Sequence, residues 1–388
     1  MSEKLQKLNI ALATHSRATG LSQMLSLWLQ KRAKKLIFID HPLPPAKKYI
    51  SFCTVFEKGK VTGTSQTFDV HIPFVFIYFK DILLTFYFGF KNPCDIAIGV
   101  DNINAFSFIL LKKIGKVKKV IYHTVDYTPK RFGNPVLNNI YHSLDRFCCY
   151  NADISWDSSS RMIEARVKNG VDKKRIAKII ITPDGSNFDP KKRLAIEKIE
   201  RNTVVFLGHL RKGLGLELLI DSFADAAKQV AKAKLVIIGG GPLLESLKSQ
   251  TKKLGIENRI TFTGFIESHE KVDDILAKGA ISIAMFEPVK DSLEYYSDVG
   301  KPKVYLAAGL PVIITKVPEI ALEIEKRKAG IAISYDKKSL SLAIIKLLRS
   351  DALYRQQRKN AIELSKKYIW SNIFEQAFSQ TLKDLKCI

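Results

Sequence analysis

Short apolar runs alternate with amphipathic stretches through most of the chain. Residues 8–15 (LNIALATH) predict a strand, residues 21–35 then carry apolar positions at helical spacing, and residues 36–40 (LIFID) predict the next strand. Strands and helices that alternate in this way form parallel sheets covered on both faces. The pattern therefore predicts an α/β fold.

A β-hairpin interrupts this alternation. Residues 49–70 alternate polar and apolar positions on both sides of Glu-Lys-Gly, which is typical of two strands joined by a tight turn. Strand–helix alternation resumes at residue 94 and ends in a predicted strand at 176–185 (IAKIIITPDG). A polar stretch without core periodicity follows, and a second series of strands and helices then begins.

A chain of 388 residues favours two domains rather than one core. We predict a first domain over residues 1–188, a linker over 189–202, a second domain over 203–366 and a terminal helix over 367–388.

The formal net charge is +24, and both halves of the chain carry an excess of lysine and arginine. Such a charge attracts nucleic acid, anionic membranes or phosphorylated substrates, although a lysine-rich solvated surface accounts for it as well. The five cysteines have no metal-ligand spacing, which fits a reducing compartment, and the amino terminus lacks a signal-peptide pattern. We therefore expect a cytoplasmic protein.

Lys80 and Asp81 break the most apolar window, residues 72–90, into runs too short to span a bilayer. As a buried amphipathic helix it needs no function. Alternatively, a partly exposed face beside Lys31–Lys35 and Lys112–Lys119 would hold the protein on an anionic membrane.

Residues 295–315 combine a short predicted helix with two lysines. Ser297 or Asp298 is the predicted cap, Pro302 suits the first helical position, and Gly309 fits the residue after the helix. A helix amino terminus beside cations is a site for a pyrophosphate, supplied here by Lys301 and Lys303. The alternative is an ordinary turn with two exposed lysines.

Three more predicted strands end in glycine, at 204–213 (VVFLGHLRKG), 234–242 (KLVIIGGGP) and 258–266 (NRITFTGFI). Each pattern alone is common. Because ligands of parallel sheets bind at the carboxyl ends of the strands, we expect these turns to lie around one site.

Together, FLGHLRKGLGLELLIDSF, VIIGGGPLLESL, NRITFTGFI and YLAAGLPVI resemble the donor-binding domain of GT-B glycosyltransferases of the retaining family 4 type, over residues 203–370. The segment GVDNINAFSFILLKKIGKVKKVIYHTVDYTPKRF is similar to the acceptor domain of the bacterial cell-surface polysaccharide enzymes in this group. The resemblance implies two Rossmann-like parallel-sheet domains facing across a cleft, with the last helix returning to the first domain. It also implies transfer of a sugar from a nucleotide-diphosphate sugar with retention, without metal or cofactor.

The resemblance implies three groups of site residues. Those expected at the donor diphosphate and sugar are Gly208, Arg211, Lys212, Ser297, Asp298, Lys301 and Lys303. Those expected at the nucleotide base are Gly264, Phe265 and Ile266, and Thr19 and Gly20 are expected in the acceptor-side loop.

The chain also departs from the family pattern. The two glutamates that usually precede this helix fall on Tyr296 and Val304, and Glu287 and Glu294 lie nearby at a different spacing. The usual arginine and lysine after the first glycine fall on His209 and Leu214, so that Arg211 and Lys212 would replace them.

Two residues near the end of the 118–126 strand are candidate catalytic groups. Asp126 could accept the proton of the acceptor hydroxyl, or cap a helix. His123 lies two to three residues before the position where many relatives have a histidine, and a buried sheet histidine is the alternative.

The expected partners are a UDP-, GDP- or dTDP-sugar donor, a glycan or polyprenyl-linked acceptor, and an anionic membrane surface at the inner face of the cell membrane. No nucleic acid is expected, because the aromatic residues are concentrated in one apolar segment. Two other functions remain open: a GT-B-fold sugar-nucleotide isomerase, and a nonenzymatic nucleic-acid-binding protein.

Overall fold

A computed structural model describes residues 2–16, 20–43, 46, 48–70 and 72–385. The strands within these residues are β1 Asn9–Ser16, β2 Lys35–Pro42, β3 Phe52–Glu57, β4 Lys60–Gln66, β5 Cys94–Val100, β6 Val117–Thr124, β7 Ile154–Asp157, β8 Lys178–Ile181, β9 Thr203–Leu207, β10 Lys234–Ile238, β11 Ile260–Gly264, β12 Ile281–Ala284, β13 Val312–Thr315 and β14 Gly330–Ile333. The helices are α1 Ser2–Leu5, α2 Leu21–Gln30, α3 Phe74–Lys91, α4 Asp101–Lys113, α5 Pro135–Asn151, α6 Met162–Lys168, α7 Leu216–Gln229, α8 Leu244–Lys253, α9 His269–Lys278, α10 Leu293–Tyr296, α11 Lys301–Ala308, α12 Ile320–Lys326, α13 Lys337–Arg349, α14 Asp351–Ser365 and α15 Trp370–Asp384.

The chain forms two compact units, one of residues 1–183 and 370–388 and the other of residues 184–369. The stretch predicted as a linker, 189–202, belongs to the second unit. Arg193 fixes it there, because its Nε donates to the Ala307 carbonyl at 2.5 Å and its Nη2 to Ser365 Oγ at 3.2 Å. Arg193 thus holds this polar stretch in place, although its sequence has no core periodicity.

The first unit contains an eight-stranded sheet in the order β4-β3-β2-β1-β5-β6-β7-β8. Strands β2, β3 and β4 pair antiparallel at one edge, and the remaining pairs are parallel. The predicted hairpin is confirmed, with Glu57 opposite Lys60 and a turn in which both Lys58 and Gly59 have positive φ. The strand order changes direction between β1 and β5, so the loops after these two strands flank the unit's switch point.

Helices cover both faces of this sheet. On one face α15 packs against α2, where the Trp28 and Phe378 rings stack at 5.3 Å. Helices α3, α4 and α5 lie on the other face, and each contributes a buried residue to the core there: Phe88, Phe108 and Cys148 respectively. Lys31, at the end of α2, is therefore across the sheet from α3, and the prediction that it flanks the 72–90 helix is wrong. We did not predict α5, although Asn134 and Pro135 are a typical helix start.

The second unit contains a six-stranded, fully parallel sheet in the order β11-β10-β9-β12-β13-β14. This is a doubly wound arrangement with its switch point between β9 and β12. The buried strands explain the continuous apolar runs in the sequence, since Val312, Ile313 and Ile314 are all inaccessible to solvent. The predicted α/β class with two Rossmann-like sheets is thus confirmed.

Candidate functional site

The switch point of the second unit lies where β9 and β12 end. Their following loops meet there, because the Glu287 amide donates to the Gly213 carbonyl at 3.0 Å. The Phe286 amide, just before it, donates to Thr315 Oγ1 at 2.9 Å and connects the same loop to β13. The loops at the carboxyl ends of three parallel strands, β9, β12 and β13, therefore lie next to each other.

The glycines after β9 and β10 allow two loops to interlock. The Gly208 amide donates to the Ile238 carbonyl, and the Leu210 amide to the Gly240 carbonyl, both at 2.9 Å. Gly239 has φ of +136°, and a Cβ at this position would lie 1.9 Å from the Gly208 oxygen. Close backbone approach at the edge of the sheet thus requires glycine at 239 and also at 241, where a Cβ would lie 2.4 Å from the Leu210 oxygen.

Helix α11 is attached to the end of β9 by a buried tyrosine. The Tyr305 hydroxyl accepts a hydrogen bond from the Leu207 amide at 2.6 Å and donates to the Leu207 carbonyl at 3.3 Å. The helix begins at Lys301 after Gly300 and ends before Gly309, whose φ is +80°. The predicted helix and its glycine end are therefore present, but the prediction of Ser297 or Asp298 as the cap is wrong.

Lys301 lies over Gly208. A Cβ added to Gly208 would be 3.3 Å from Lys301 Cε, so the lysine stem occupies the space that a larger residue at 208 would fill. Although Lys301 is exposed overall, protein atoms partly desolvate its ammonium group, and this effect and the Arg211 guanidinium lower its pKa. The Glu294 carboxylate acts in the opposite direction.

Arg211 and Glu294 complete this cluster. Arg211 Nη2 lies 2.9 Å from Glu294 Oε1, and the arginine is about half exposed. The site at the end of β9 thus combines two cations, one carboxylate and a helix amino terminus, an arrangement that binds an anionic group. Glu294 was noted in the sequence only for its spacing, and its pairing with Arg211 was not predicted. Lys212 is exposed in the same loop.

Lys303 and Asp298, both expected at the diphosphate, bind each other instead. Lys303 is fully buried and forms an ion pair with Asp298, which also accepts a hydrogen bond from the Asp184 amide at 2.7 Å. The prediction of Lys303 as a diphosphate ligand is therefore wrong, and Asp298 is engaged in the same buried pair. Ser297 is buried as well, at the end of α10.

The predicted base-binding residues border an open groove. Gly264 ends β11 with φ of +69°, and the Phe265 side chain after it is 80% exposed. Phe265 and Ile266 line a groove of about 790 Å³ together with Ser268, Lys271 and Ile275. The Gly264 carbonyl accepts from the Gly239 amide, which brings the β11 end beside the β9 and β10 loops.

The first unit places its predicted residues differently. His123 lies inside β6, fully buried, with its ring edge-to-face against Trp156 at 5.5 Å, and burial lowers its pKa to about 3. Neither ring nitrogen makes a hydrogen bond within the described residues, so the prediction of a catalytic histidine at 123 is wrong. Asp126 follows β6 at the carboxyl edge of the sheet and is half-buried. Gly20 precedes α2, and Thr19 lies outside the described residues.

A buried polar network behind this edge was also not predicted. His15 Nε2 lies 3.1 Å from Asp81 Oδ2, and Asn104 Nδ2 lies 3.1 Å from His15 Nδ1. His41 bonds to Ser51 and to Thr85. These residues come from β1, β2, α3, α4 and the segment just before β3, at sequence separations that no local pattern reveals.

Two general properties concern metals and membranes. Within residues 2–16, 20–43, 46, 48–70 and 72–385, no group of three or more His, Cys, Asp or Glu is arranged to hold a metal ion. Among the helices of this described part, none has both the length and the apolarity needed to cross a bilayer.

The comparisons with known proteins agree with this arrangement. Residues 201–350 match the family model for glycosyl transferases group 1. Mannosylfructose-phosphate synthase of Agrobacterium fabrum is 27% identical over 188 residues, 46% of this chain and 39% of the relative. A GDP-mannose-dependent alpha-(1-6)-phosphatidylinositol monomannoside mannosyltransferase of Mycobacterium tuberculosis is 30% identical over 152 residues, 37% of this chain and 38% of the relative.

Alpha-monoglucosyldiacylglycerol synthase of Streptococcus pneumoniae is 30% identical over 159 residues, 41% of this chain and 34% of the relative. The chain therefore matches less than half of the length of each of these curated relatives.

Solved structures match over almost the whole chain. Sucrose-phosphate synthase from Thermosynechococcus elongatus has a TM-score of 0.70 at 16% identity and covers 98% of this chain and 99% of its own. Anabaena Alr3699/HepE in complex with UDP has a TM-score of 0.68 at 13% identity, covering 97% and 99%. The chain therefore has the GT-B fold, and residues 201–350 of its second unit match the group 1 glycosyltransferase model.

Proposed function

We propose that this protein transfers a glycosyl group from a nucleotide-diphosphate sugar to an acceptor hydroxyl. The observation that carries the proposal is the position of Lys301 over Gly208, at the amino terminus of α11 and beside Arg211. A diphosphate develops negative charge when its bond to the sugar C1 breaks, and preorganised cations and helix N–H groups stabilise that charge.

In the proposed reaction the C1–O bond to the diphosphate breaks and a bond from the acceptor oxygen to C1 forms. The acceptor loses its hydroxyl proton, and Asp126 at the edge of the first unit's sheet is our candidate for accepting or orienting it. Retention at C1 follows the family 4 resemblance. We also propose that Lys301 and Arg211 supply the charge that a metal ion provides in other enzymes, so that EDTA should leave the rate unchanged.

The nucleotide is a uridine, guanosine or deoxythymidine diphosphate. Backbone groups of Gly264–Ile266 are proposed to pair with the edge of the base, with Phe265 exposed at the rim. UDP is bound by Anabaena Alr3699/HepE, and GDP-mannose is named for the mycobacterial relative, so both are first candidates here.

The acceptor is proposed to be a glycan or a polyprenyl-linked saccharide of a bacterial cell-surface polysaccharide, reached from the inner face of the membrane. The support is the sequence similarity of the first unit to that group and the lipid named for two relatives, the mycobacterial mannosyltransferase and the pneumococcal synthase.

Calorimetry with UDP, GDP and dTDP tests the donor site. Lys301→Ala should weaken the preferred nucleotide diphosphate by at least about tenfold, because charge-assisted hydrogen bonds to a diphosphate contribute about 1.5–3 kcal/mol. Lys253→Ala, which changes an exposed lysine at the end of α8, is the matched control and should bind like the wild type. Unchanged affinity of Lys301→Ala would contradict the site.

A transfer assay with UDP-, GDP- and dTDP-sugars then tests the reaction. Release of nucleotide diphosphate with a new glycoside supports the proposal, and NMR of the product gives the configuration at C1. Conversion of the sugar nucleotide without any acceptor would instead establish the isomerase.

A further inference from the structure

Helix α3 exposes an aromatic face. Phe76, Phe79, Leu83, Tyr87 and Phe90 recur every three or four residues, so they lie on one side of the helix. Their exposed fractions range from 46% to 60%. We call these five residues the α3 face. Exposed apolar residues are normally scattered over a protein surface, whereas here they form one stripe.

The opposite side of α3 is buried, and it carries two polar residues between Ile77 and Phe88. Asp81 and Thr85 are both inaccessible to solvent. Asp81 Oδ2 lies 3.1 Å from His15 Nε2. Thr85 donates to Asn104 Oδ1 at 3.0 Å and accepts from His41 Nε2 at 2.7 Å. The buried side of the helix thus includes hydrogen-bonded polar residues, while its exposed side is aromatic and aliphatic.

This network fixes the rotation of α3. Turning the helix to bury its aromatic side would remove Asp81 and Thr85 from their partners, and buried polar groups without partners are costly. Hydrogen bonds from β1, β2 and α4 therefore favour the outward orientation of the α3 face.

Lysines lie at one end of the α3 face. Lys91 Nζ is 4.4 Å from the centre of the Tyr87 ring, and Lys116 Nζ is 4.5 Å from the centre of the Phe90 ring. The one acidic residue in the sequence of α3 is Asp81, which is buried. The exposed side of the helix thus combines aromatic rings with cations and carries no carboxylate.

We propose that the α3 face docks on an anionic lipid bilayer. Aromatic and aliphatic side chains on one side of a helix insert at the boundary between headgroups and acyl chains, and lysines beside them bind lipid phosphates. A second copy of the chain is the less suitable occupant, because two molecules of net charge +24 repel each other. The docking itself does not depend on the proposed function. A second step, in which the bilayer also presents a lipid-linked acceptor, rests on the proposed function.

Vesicle sedimentation with the full chain tests the docking. The wild type should bind vesicles containing phosphatidylglycerol at about 50 mM salt and bind less at about 500 mM, since screening weakens the lysine contribution. Vesicles of phosphatidylcholine should retain little protein. Phe79→Ser/Leu83→Ser should lower the partition constant by at least about tenfold, because two large apolar side chains no longer insert.

Two further variants locate the effect. Lys91→Glu/Lys116→Glu should abolish the preference for anionic lipid, whereas Leu322→Ser, an equally exposed apolar residue on α12, should bind vesicles like the wild type. All variants should keep their affinity for the nucleotide diphosphate, which separates this test from that of the donor site.

Equal vesicle binding by wild type and Phe79→Ser/Leu83→Ser would overturn the proposal, as would no binding of the wild type to anionic vesicles at low salt. A wild-type dimer that this double variant dissociates, measured by sedimentation velocity, would assign the face to a second copy instead and would equally overturn it.

Discussion

Lys303, which lies on the same helix as Lys301, forms a buried ion pair with Asp298. Lys303 Nζ also lies 5.1 Å from the centre of the Tyr368 ring, and the Tyr368 hydroxyl donates to Glu323 at 2.5 Å. The Asp184 amide donates to the same Asp298. The start of α11 is thereby connected to the first residue of the second unit and to residues near its end.

Asp298→Asn should destabilise the protein by about 3–5 kcal/mol, because it leaves the buried ammonium of Lys303 without an opposite charge. Asp298→Asn/Lys303→Met should recover a large part of this loss, since the charge is removed with its partner. Urea denaturation of both variants measures the difference. Equal stability of the single and double variants would show that the pair has no net coupling.

Tyr305→Phe should reduce stability by about 1–2 kcal/mol, because the Leu207 amide and carbonyl lose their hydrogen-bond partner at the end of β9. We also expect a lower affinity for the nucleotide diphosphate, as the hydroxyl holds α11 against the strand. Calorimetry and thermal unfolding on the same sample check both effects. A variant with reduced stability but wild-type affinity would limit Tyr305 to a structural role.

Gly239→Ala should cost at least about 3 kcal/mol, because φ is +136° and the new Cβ would lie 1.9 Å from the Gly208 oxygen. Gly240→Ala is the matched control. Its Cβ would make ordinary contacts of 3.5 Å with Phe265, so its cost should stay within about 1 kcal/mol. Similar losses in the two variants would contradict the interlocked loops.

His123 should make stability depend on pH. Burial lowers its pKa to about 3, below the ordinary value of 6.5. Between these values the unfolded chain binds a proton that the folded chain does not, so the free energy of unfolding falls by about 1.4 kcal/mol per pH unit as the pH decreases.

His123→Leu should remove that part of the slope and keep stability at pH 7, because neither ring nitrogen has a hydrogen-bond partner within the described residues. Urea denaturation from pH 7 to pH 4 measures the slope. His41, whose pKa burial also lowers to about 3, contributes a similar slope that this variant should leave in place. An unchanged slope in His123→Leu would contradict the prediction.

Local patterns predicted much of the second unit. Constraints that act within a few residues of chain explain the features that we predicted. These features are the apolar runs at β12 and β13, the glycines that follow β9 and β10, and Gly309 after α11. Burial on both sides of a parallel strand requires a continuous apolar run, and a positive φ favours glycine, so both leave a direct trace in the sequence.

Contacts between distant residues were harder to predict. Lys301 and Lys303 are two positions apart and chemically identical. Lys303 is buried against Asp298 and Tyr368, whereas Lys301 lies over Gly208. Phe79 and Asp81 in α3 show the same limit, since hydropathy alone would have placed the aromatic residue inward.

The order of apolar and polar residues was sufficient to establish two α/β units and the loops at the carboxyl ends of their strands, because strand and helix periods are local properties of the chain. The packed fold decided which lysine lies over Gly208, which side of α3 faces water, and that His123 lies within the sheet. The partners of a side chain are often distant in the sequence. Leu207 and Tyr305, for example, are 98 positions apart, and only folding brings them within hydrogen-bonding distance.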